Sequence, residues 1–368
     1  MVFSAIDFSK NLIQWYLNNK RELPWRDIND PYRIWLSEII LQQTRVEQGK
    51  PYYSKFLRAY PTVGDLASAK EDEVMRLWQG LGYYSRARNL HATAKMVAHE
   101  MKGKFPGTYI GLKKLKGVGD YTASAIASIC YGEAQAVVDG NVYRVLSRVY
   151  GIDDPIDTTV GQKKFRALAQ QLIPTDDPAT YNQAIMEFGA THCKPKNPHC
   201  PQCPFNDKCV ALSTNTVDIL PKKQGKIKVR DRYFHFVILR AKDKVALVRR
   251  DKKGIWHGLY QFPLVETEKK TNDTEVGLLI GASILEGDLS RFVFALSEKE
   301  TPAKMLALKK LTEKPVLHKL SHQNLYIDFY ALEVAKINEE YAVPIDMIDS
   351  YALPRAIDRF LEGYKFYV

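Results

Sequence analysis

Apolar side chains recur at helical spacing through the first 212 residues. Segments such as "FSKNLIQWYL" (8–17), "YRIWLSEIILQQT" (32–44) and "VYRVLSRVYG" (142–151) repeat them every third or fourth position, which is typical of a helix with one buried face. Clusters of glycine and proline, such as "FPGTY" and "KGVGD", separate these segments. The pattern predicts an all-α domain over 1–212 and a continuous helical stretch over 74–101.

The pattern changes after residue 212. Residues 213–232 have no helical period and carry six Lys or Arg between Lys222 and Arg232, which predicts a basic linker. Beyond it, β-branched and aromatic runs predict strands, and two other segments have helical spacing. The predicted strands are "YFHFVILRA", "KVALVRR", "RFVFALS" and "LYIDFYALEV", and the helices are "TEVGLLIGASILEG" and "PRAIDRFLEGY". We therefore expect a multi-domain chain with a smaller α+β domain at 233–368.

The net charge of the chain indicates a class of binding partner. The chain has 53 Lys and Arg against 42 Asp and Glu, a net charge of +11. Such an excess indicates a polyanionic partner, most often nucleic acid, although a merely basic soluble protein has the same balance. No signal-peptide pattern and no long apolar run is present. We expect a cytoplasmic, nucleoid-associated monomer that has no contact with membranes.

Four of the five cysteines lie in "CKPKNPHCPQCPFNDKC" (193–209), with the spacing C-x6-C-x2-C-x5-C. In a reducing compartment such a cluster indicates a metal more often than disulfides. A zinc ribbon pairs two C-x2-C knuckles, but only one is present here. Four thiolates on one loop suit a 4Fe–4S cluster, with zinc and a purely structural thiol cluster as alternatives. The predicted ligands are Cys193, Cys200, Cys203 and Cys209.

A glycine turn joins two predicted helices in "LKKLKGVGDYTASAIASICYG" (112–132). Gly117, Val118 and Gly119 allow backbone N–H groups to approach an anion, and the next helix begins at the same point. This arrangement predicts a helix–hairpin–helix that binds a DNA phosphate. An ordinary turn between helices is the alternative.

Two carboxylates lie in contrasting surroundings. Glu38 stands among Ile34, Trp35, Ile39, Ile40 and Leu41, so burial is expected to raise its pKa and keep it protonated as a general acid. The alternative is a glutamate on the polar side of the helix. Asp139 precedes a helix, where N–H donors are expected to keep it ionised, and an ordinary N-cap is the alternative. One neutral and one charged carboxyl is the pairing that cleaves glycosidic bonds.

Together these motifs resemble the adenine DNA glycosylase family, the MutY group of the helix–hairpin–helix glycosylases. The resemblance extends over almost the whole chain. It rests on "LPWR" (23–26), "SEIILQQTRV" (37–46), "QGLGYYSRARNL" (79–90), "LKGVGDYTASAI" (115–126), "VVDGNVYRV" (137–145), the four-cysteine loop and "GLYQFP" (258–263).

The resemblance implies a role for individual residues. Glu38 would protonate the adenine ring and Asp139 would stabilise the cationic sugar, with Tyr121 and Asn141 in the same catalytic network. Residues implied to surround the flipped adenine are Trp25, Arg26, Leu41 and Gln183. Residues implied to contact DNA are Gln43, Tyr83, Arg86, Lys116, Gly117, Val118 and Gly119, of which Gln43 and Tyr83 would wedge into the duplex.

Position 121 separates two kinds of enzyme in this superfamily. Members that also cut the backbone carry a lysine there, whose amine forms a Schiff base with the sugar. Tyr121 therefore implies a monofunctional glycosylase. Two hairpin residues depart from the family pattern: Lys116 replaces a proline and Asp120 replaces a basic residue. Lys116 could add a phosphate contact, whereas Asp120 would oppose one.

The second domain resembles the Nudix-like domain that reads 8-oxoguanine in this family. Ser321 and His322 in "LSHQN" are implied to contact the oxidised base, although Leu320 replaces the usual phenylalanine and an ordinary polar turn is the alternative. A nucleotide pyrophosphatase would need a glutamate-rich Mg²⁺ helix, and no R-E-x-x-E-E pattern occurs.

We therefore predict excision of adenine from double-stranded DNA where it faces 8-oxoguanine or guanine. The competing class is a non-catalytic lesion reader, which would share the basic charge and the hairpin. It would not need Glu38, Asp139 and Tyr121 together.

Overall fold

A computed structural model describes residues 4–225, 228–293, 308–364 and 366. The chain forms two compact units: Met1–Ala69 with Arg86–Gly225, called unit 1, and Lys70–Ser85 with Lys226–Val368, called unit 2. No helix in the described ranges is both long and apolar enough to cross a bilayer. The predicted bounds of 1–212, 213–232 and 233–368 stay a prediction.

Unit 1 is built from helices. They are α1 (Ala5–Asn19), α2 (Pro31–Leu41), α3 (Val46–Ala59), α4 (Val63–Ser68), α6 (Ser85–Lys95), α7 (Tyr109–Leu112), α8 (Asp120–Tyr131), α9 (Gly140–Tyr150), α10 (Thr159–Leu172), α11 (Pro178–Thr191) and α12 (Val210–Ser213). One core cluster joins Phe8 and Leu12 of α1 with Val145 of α9, Phe165 of α10 and Phe188 of α11. The helices predicted from periodicity at 8–17, 32–44 and 142–151 are present.

The stretch predicted to be helical over 74–101 is interrupted. Helix α5 (Glu71–Leu77) ends, and α6 begins only at Ser85. Between them Gly80, Gly82 and Tyr83 have φ of 100°, 70° and 46°, which an α-helix does not admit. The prediction of one continuous helix was wrong because apolar spacing continues through a turn that glycine makes possible.

Unit 2 contains a mixed sheet. Its strands are β1 (Arg230–Ala241), β2 (Lys244–Ala246), β5 (Leu264–Thr267), β6 (Lys309–Lys310), β7 (Val316–Lys319), β8 (Gln323–Glu333) and β9 (Ala342–Pro344), and β3 (Val248–Arg249) pairs with β4 (Tyr260–Gln261) separately. β1 runs parallel to β8 in register from Arg230 opposite Gln323. Helices α13 (Asp273–Glu286) and α14 (Arg355–Gly363) were both predicted. The predicted strand "RFVFALS" lies mostly outside the described residues.

The two faces of this sheet carry different side chains. Val237 and Leu239 pack with Ile280 of α13 in one core cluster. On the alternate positions, Phe236 stacks on Phe329, and Phe329 stacks on Phe360 of α14 with ring centroids 3.7 Å apart. Side chains of a strand alternate between faces, so each helix covers one side of the sheet.

The predicted linker begins as a packed segment. Arg148 donates to the carbonyl of Leu220 at 3.2 Å, and Lys222 Nζ lies 3.0 Å from Asp153 Oδ2. The backbone N–H groups of Gln224 and Gly225 donate to Asp157 at 2.9 and 2.8 Å. Residues up to 225 are therefore part of unit 1, while Arg230 and Arg232 already belong to β1.

The inserted segment Lys70–Ser85 belongs to unit 2 through side-chain contacts. Arg249 Nη2 donates to Glu71 Oε1 at 2.6 Å. Gln79 Oε1 accepts from the N–H of Leu353 at 3.2 Å. The hydroxyl of Tyr84 donates to the carbonyl of the same leucine at 3.3 Å. Helix α5 and the glycine turn are thus tied to the sheet domain.

Candidate active site

A cavity of about 170 Å³ opens in unit 1 where α2, α8, α9 and α11 approach one another. We call it the central pocket. Its lining includes the residues predicted to be catalytic and those predicted to hold a base: Trp25, Arg26, Glu38, Leu41, Tyr121, Asp139, Asn141 and Gln183. These positions lie up to 158 residues apart in sequence, and the fold brings all of them to one cavity.

Glu38 lies on α2, a helix buried on most of its surface. Asp30 caps the helix by accepting from the N–H of Arg33 at 2.8 Å, and Pro31 occupies its first turn. Glu38 itself is 8% exposed. Burial raises its pKa to about 7, against the hydrogen bond from Tyr121 and the positive charge of Arg26. The predicted burial and raised pKa of Glu38 are confirmed.

Tyr121 stands beside Glu38 in the first turn of α8. Its hydroxyl donates to Met186 Sδ at 2.9 Å, and its interaction with the Glu38 carboxyl opposes the rise in the pKa of that carboxyl. Burial, and then the negative charges of Glu38 and Asp139, raise the pKa of Tyr121 well above its ordinary value. The phenol therefore stays protonated next to the buried acid.

Asp139 is the N-cap of α9 and accepts three hydrogen bonds. Its carboxylate takes the backbone N–H groups of Asn141 and Val142 at 2.9 and 2.8 Å and Asn141 Nδ2 at 2.9 Å. Burial raises its pKa above the ordinary value, and these donors oppose the rise. Burial and the donors act on this pKa in opposite directions, so the expectation that the donors keep Asp139 ionised stays a prediction.

Asn141 connects Asp139 to the cysteine loop, residues 193–209. Arg144 Nη2 donates to Asn141 Oδ1 at 2.8 Å and to the carbonyl of Gly189 at 2.6 Å. The Nε of Arg144 donates to the carbonyl of Cys193 at 2.7 Å. One turn later, Arg148 donates to the carbonyl of Lys194 at 2.8 Å. Helix α9 therefore carries the cap aspartate at its start and two arginines that hold the cysteine loop.

Three polar side chains that contact the predicted Arg26 and Gln183 or one another were not predicted: Tyr16, Arg21 and Glu187. Glu187, only 1% exposed, accepts from Arg21 Nε at 2.6 Å and from Arg26 Nη2 at 2.9 Å. Tyr16 donates to Gln183 Oε1 at 2.7 Å. Glu187 was overlooked although it lies among apolar residues in "AIMEFGA", as Glu38 does in its own helix. That shared pattern is the signal that could have found it.

The four predicted cysteine ligands line one small cavity of unit 1. Cys193, Cys200, Cys203 and Cys209 face it together with Arg148 and Phe188, among others. As they stand, the described residues contain no group of three His, Cys, Asp or Glu side chains that qualifies as a metal site. Four thiols around one cavity are the donor set that an iron–sulfur cluster uses, so the residues present fit that cofactor.

Two glycines shape the turn before α8, where the sequence predicts a phosphate contact. Gly117 has φ of 80°, and a Cβ there would lie 2.8 Å from Asn89 Cβ, so only glycine fits. Gly119 caps α8 without a side-chain hydrogen bond, and no atom of the described residues lies within 4 Å of a Cβ added to it. Lys116 is exposed, whereas Val118 is buried. Gly117 and Gly119 are exposed, and the first N–H groups of α8 follow directly after them.

Asp120, the departure expected to oppose a phosphate, is neutralised by neighbours. Its carboxylate forms an ion pair with Lys113 and another with Arg166 at 2.9 Å. The hydroxyl of Tyr109 donates to it at 3.0 Å. The hydrogen bond from Lys113, against a smaller effect of burial, lowers the pKa of Asp120. Its negative charge is thus engaged within the protein.

The two residues predicted to wedge into DNA share an unusual backbone conformation. Gln43 and Tyr83 have φ of 54° and 46°, in the left-handed region that non-glycine residues seldom adopt. Both side chains are exposed, Tyr83 by 49%. Strained, exposed positions of this kind are characteristic of functional contacts.

Arg86, predicted among the DNA contacts, is buried. Its Nη1 donates to the carbonyls of Ile39, Ile40 and Gln42 at 3.0, 2.9 and 2.6 Å. It is 8% exposed. Arg86 therefore satisfies the last carbonyls of α2, the helix of Glu38. A DNA contact by Arg86 stays a prediction.

Ser321 and His322 lie in the exposed turn that joins β7 to β8. The N–H of Leu320 donates to the carbonyl of Gln323 at 2.8 Å, which closes the turn. The hydroxyls of Ser321 and Tyr83 lie 2.6 Å apart in a hydrogen bond, and both residues belong to unit 2. A predicted wedge and a predicted reader of the opposite base are therefore neighbours.

Comparisons with known families match both halves of the chain. The HhH-GPD superfamily base excision DNA repair protein model matches residues 36–175, and the NUDIX domain model matches residues 234–363. The predicted fold class, a helical domain followed by an α+β Nudix-like domain, is confirmed.

Similar proteins identify the family. The Adenine DNA glycosylase of Buchnera aphidicola subsp. Baizongia pistaciae (strain Bp) is 32% identical over 337 residues, which cover 91% of this chain and 88% of that protein. The Mus musculus Adenine DNA glycosylase is 34% identical over 390 residues, which cover 92% and 72%. The chain belongs to the adenine DNA glycosylase family.

Solved structures agree on the helical part. A thermostable thymine-DNA glycosylase is 28% identical, with a TM-score of 0.53 over 57% of this chain and 97% of that one. A non-covalent endonuclease III–DNA complex has a TM-score of 0.50 at 22% identity over 58% of this chain and 99% of that one, and it supports the fold alone. These likenesses cover a little more than half of this chain.

Proposed function

We propose that this protein is a monofunctional DNA glycosylase that removes adenine from double-stranded DNA where it faces 8-oxoguanine or guanine. Membership of the adenine DNA glycosylase family supports the reaction. The observation that carries the proposal is the central pocket. There Glu38, with a pKa of about 7, lines the same cavity as Asp139, the aspartate that caps α9.

Glu38 is the proposed general acid. A base in duplex DNA must leave the stack to reach a pocket, and the central pocket receives it. With a pKa of about 7, Glu38 keeps a proton near neutral pH and gives it to a ring nitrogen of adenine. Protonation makes the base a better leaving group, so the bond between N9 and C1′ breaks and the electron pair leaves with adenine.

Asp139 is the proposed counter-charge for the sugar. Loss of the base leaves a cationic C1′, and a fixed carboxylate stabilises that charge most strongly in a site that excludes water. Asn141 and the two N–H donors hold the carboxylate in place. Water then adds its oxygen to C1′ and releases a proton, which completes the hydrolysis.

The pocket chemistry supports cleavage of the base alone. A glycosylase that also cuts the backbone needs an amine to form a Schiff base. The described residues that line the central pocket include no lysine, and Tyr121 with its raised pKa takes that position. We therefore expect an abasic site as the product.

The cysteine loop is the proposed site of a 4Fe–4S cluster held by Cys193, Cys200, Cys203 and Cys209. When bound, the cluster would tie four thiolates together and so fix a loop that also carries Lys194, Lys196 and Lys208. Anaerobically purified protein should contain about four irons per chain and absorb broadly in the violet. One zinc and no iron would contradict this assignment.

Unit 2 is the proposed reader of the opposite base, through Ser321 and His322. A nucleotide pyrophosphatase is the alternative that the domain family raises. Such an enzyme concentrates free glutamates on one helix to hold Mg²⁺. In unit 2, Glu266 is paired with Arg232 at 2.6 Å and Asp273 with Lys310 at 2.6 Å. These paired carboxylates favour recognition over hydrolysis.

The proposal is tested by adenine release from four duplexes that present adenine opposite 8-oxoguanine, guanine, cytosine or thymine. We expect release from the first two, faster from the first, and little from the others. The products should contain intact strands until they are treated with base. Equal release from all four would refute recognition of the opposite base, and no release from any would refute the glycosylase. Gel filtration with light scattering checks the predicted monomer.

A further inference from the structure

Gln183 is the polar side chain of the central pocket whose orientation decides what it can offer a base. Its amide has an oxygen that accepts and an NH₂ group that donates, on opposite sides of one flat group. An exchange of the two ends reverses the chemistry that the pocket presents. The neighbours of Gln183 in unit 1 determine which end faces inward.

Those neighbours form a hydrogen-bond network in which Arg26 donates to Tyr16 and Tyr16 donates to Gln183. Arg26 has only donors, and it donates through Nη2 to Glu187 and through Nη1 to the hydroxyl of Tyr16. The oxygen of Tyr16 is therefore an acceptor in that contact. Its proton is left for Gln183 Oε1, 2.7 Å away. Burial raises the pKa of Tyr16, which keeps this hydroxyl protonated.

The arginine at the start of this hydrogen-bond network, Arg26, is held by a buried carboxylate. Glu187 also accepts from Arg21 at 2.6 and 2.9 Å, and the two arginines lower its pKa in spite of its burial, so it is an anion. Arg26 lies 9% exposed between this anion and Tyr16. A buried, charge-assisted network of this kind keeps its hydrogen-bond pattern.

We propose that Tyr16 is a positioning residue that locks the amide of Gln183 with its NH₂ group toward the pocket. The oxygen of Gln183 is occupied by Tyr16 and, at 3.4 Å, by Arg26. Within the described part of the chain, the Nε2 of Gln183 makes no hydrogen bond. Gln183 lines both the central pocket and a second cavity, and Tyr16 lines only the second. Because Tyr16 holds the amide oxygen on the side of the second cavity, the NH₂ group is the end left for the central pocket. The site therefore offers a donor to the bound base.

This orientation defines what the site reads, given the proposed excision of adenine on which the inference rests. A donor pairs with an unprotonated ring nitrogen of the purine and not with the exocyclic amine, which is itself a donor. Gln183 would then recognise adenine by a ring nitrogen other than the one that Glu38 protonates. Tyr16 acts through Gln183 and need not touch the base.

The test measures binding of duplexes in which chemistry is blocked by a 2′-fluoro sugar, which disfavours the cationic transition state. Adenine opposite 8-oxoguanine is compared with 1-deaza-, 3-deaza- and 7-deazaadenine, each of which replaces one ring nitrogen by C–H. The binding penalty of each analogue is the factor by which it binds more weakly than adenine, and it is measured with the parent protein and with Gln183→Glu, whose side chain has no NH₂. The ring nitrogen that Gln183 contacts is the one whose replacement carries a penalty in the parent protein but not in Gln183→Glu. We expect about a fivefold to tenfold weaker Kd for that analogue with the parent protein.

Tyr16→Phe should reduce that one penalty to about twofold or less, because the amide can then turn, and should leave the penalties at the other positions. Tyr181→Phe is the matched control. Tyr181 lies on α11, two residues from Gln183, and is buried as Tyr16 is. Among the described residues, the hydroxyl of Tyr181 has no hydrogen-bond partner. The control should keep the full penalty.

Three outcomes would overturn the lock. In the first, Tyr16→Phe keeps the full binding penalty. In the second, Tyr16→Phe weakens the binding of adenine and of its three deaza analogues by one common factor. In the third, Gln183→Glu abolishes none of the penalties. Adenine release by the parent protein in the four-duplex assay is measured alongside. A failure there would count against the proposed function, whereas normal release with an unchanged penalty would count against the role of Tyr16 alone.

Discussion

The central pocket in unit 1 and the turn at residues 320–322 in unit 2 hold their polar groups in opposite ways. In the pocket, Glu38 and Glu187 are less than a tenth exposed, and Asp139 accepts three hydrogen bonds. In the turn, Ser321 and His322 are exposed and have few partners. Burial shifts the pKa values that proton transfer requires, while exposure leaves groups free to exchange water for a base.

This contrast assigns different costs to the two regions. A buried carboxyl is destabilising for the fold, so the helices around the pocket must be rigid enough to keep it there. An exposed turn costs little and can be changed with little effect on folding. Substitutions in unit 1 should therefore act on chemistry and stability, and substitutions in the turn should act on discrimination alone.

The largest effect is expected for Asp139→Asn, which tests the chemical side of the comparison. The amide retains a cap acceptor but loses the charge that faces the cationic sugar, a loss of about 3–4 kcal/mol or more. Its NH₂ group would also face the Nδ2 of Asn141, which now donates to Asp139 at 2.9 Å. Single-turnover adenine release should fall at least about a hundredfold, while binding of the mispair persists.

The control for this variant is Asp177→Asn. Asp177 caps α11 by accepting from the N–H of Thr180 at 3.1 Å, and it does not line the central pocket. This change should leave the rate of adenine release unaltered. Near-normal turnover in Asp139→Asn would reduce Asp139 to a helix cap.

A smaller effect, on stability, is expected for Glu38→Gln. A carboxyl with a pKa of about 7 in the folded chain and about 4.5 when unfolded binds its proton more tightly in the fold. The free energy of unfolding therefore decreases as pH rises from about 4.5 to about 7, and the glutamine variant escapes this loss. Above pH 7 the variant should be more stable by up to about 3 kcal/mol, although its adenine release is impaired.

Urea denaturation at a series of pH values measures this difference. The gap between variant and parent should vanish below pH 4.5, where the carboxyl is protonated in both states. The parent's rate of adenine release should also decline as the pH rises through about 7, because the acid loses its proton. Glu22→Gln, at an exposed position of the same unit, is the control. A gap that is equal at all pH values would contradict a buried titrating acid.

The smallest effect is expected for Ser321→Ala combined with His322→Ala. Loss of one or two hydrogen bonds to an oxidised base edge should cost about 1–3 kcal/mol of preference for 8-oxoguanine over guanine. Adenine release opposite guanine should be spared, since both carboxyls lie in unit 1. The measurement compares single-turnover rates on the two duplexes.

Two further variants sharpen this last test. Tyr83→Phe removes the hydroxyl that pairs with Ser321 but leaves the serine in place. Ser350→Ala removes an exposed serine elsewhere in unit 2 and should have no effect. An unchanged preference in the double variant would mean that the oxidised base is read elsewhere.

Sequence alone predicted the groups whose chemistry conflicts with their surroundings. Glu38 was found because a carboxyl in an apolar helix is conspicuous, and the cysteines because four fall within 17 residues. Tyr16 was not found, since an aromatic residue at helical spacing looks like ordinary core. Its role depends on Arg26 and Gln183, which meet it only in the folded chain.

Distant hydrogen-bond partners and backbone torsion angles are likewise not visible in a local sequence pattern. The contact of Arg86 with DNA, which the resemblance implies, stays a prediction, but no local pattern indicated that Arg86 donates to carbonyls more than 40 residues away. The glycine turn at 80–82 was passed over because periodicity does not record φ. Local pattern predicts elements and their buried faces, whereas a hydrogen-bond partner distant in sequence is set by tertiary packing.

The allocation of Lys70–Ser85 to unit 2 has a consequence for any attempt to divide this enzyme. A cut between residues 225 and 228 would not release two self-sufficient fragments. The N-terminal fragment would keep Glu71, Gln79 and Tyr84 but lose Arg249 and Leu353, to which they bond. The C-terminal fragment would lack Lys70–Ser85, which is part of unit 2. Proteolytic cleavage of the folded protein in this linker should therefore yield two fragments that stay associated. If the two fragments are encoded by separate genes, we expect adenine release only when both are co-expressed.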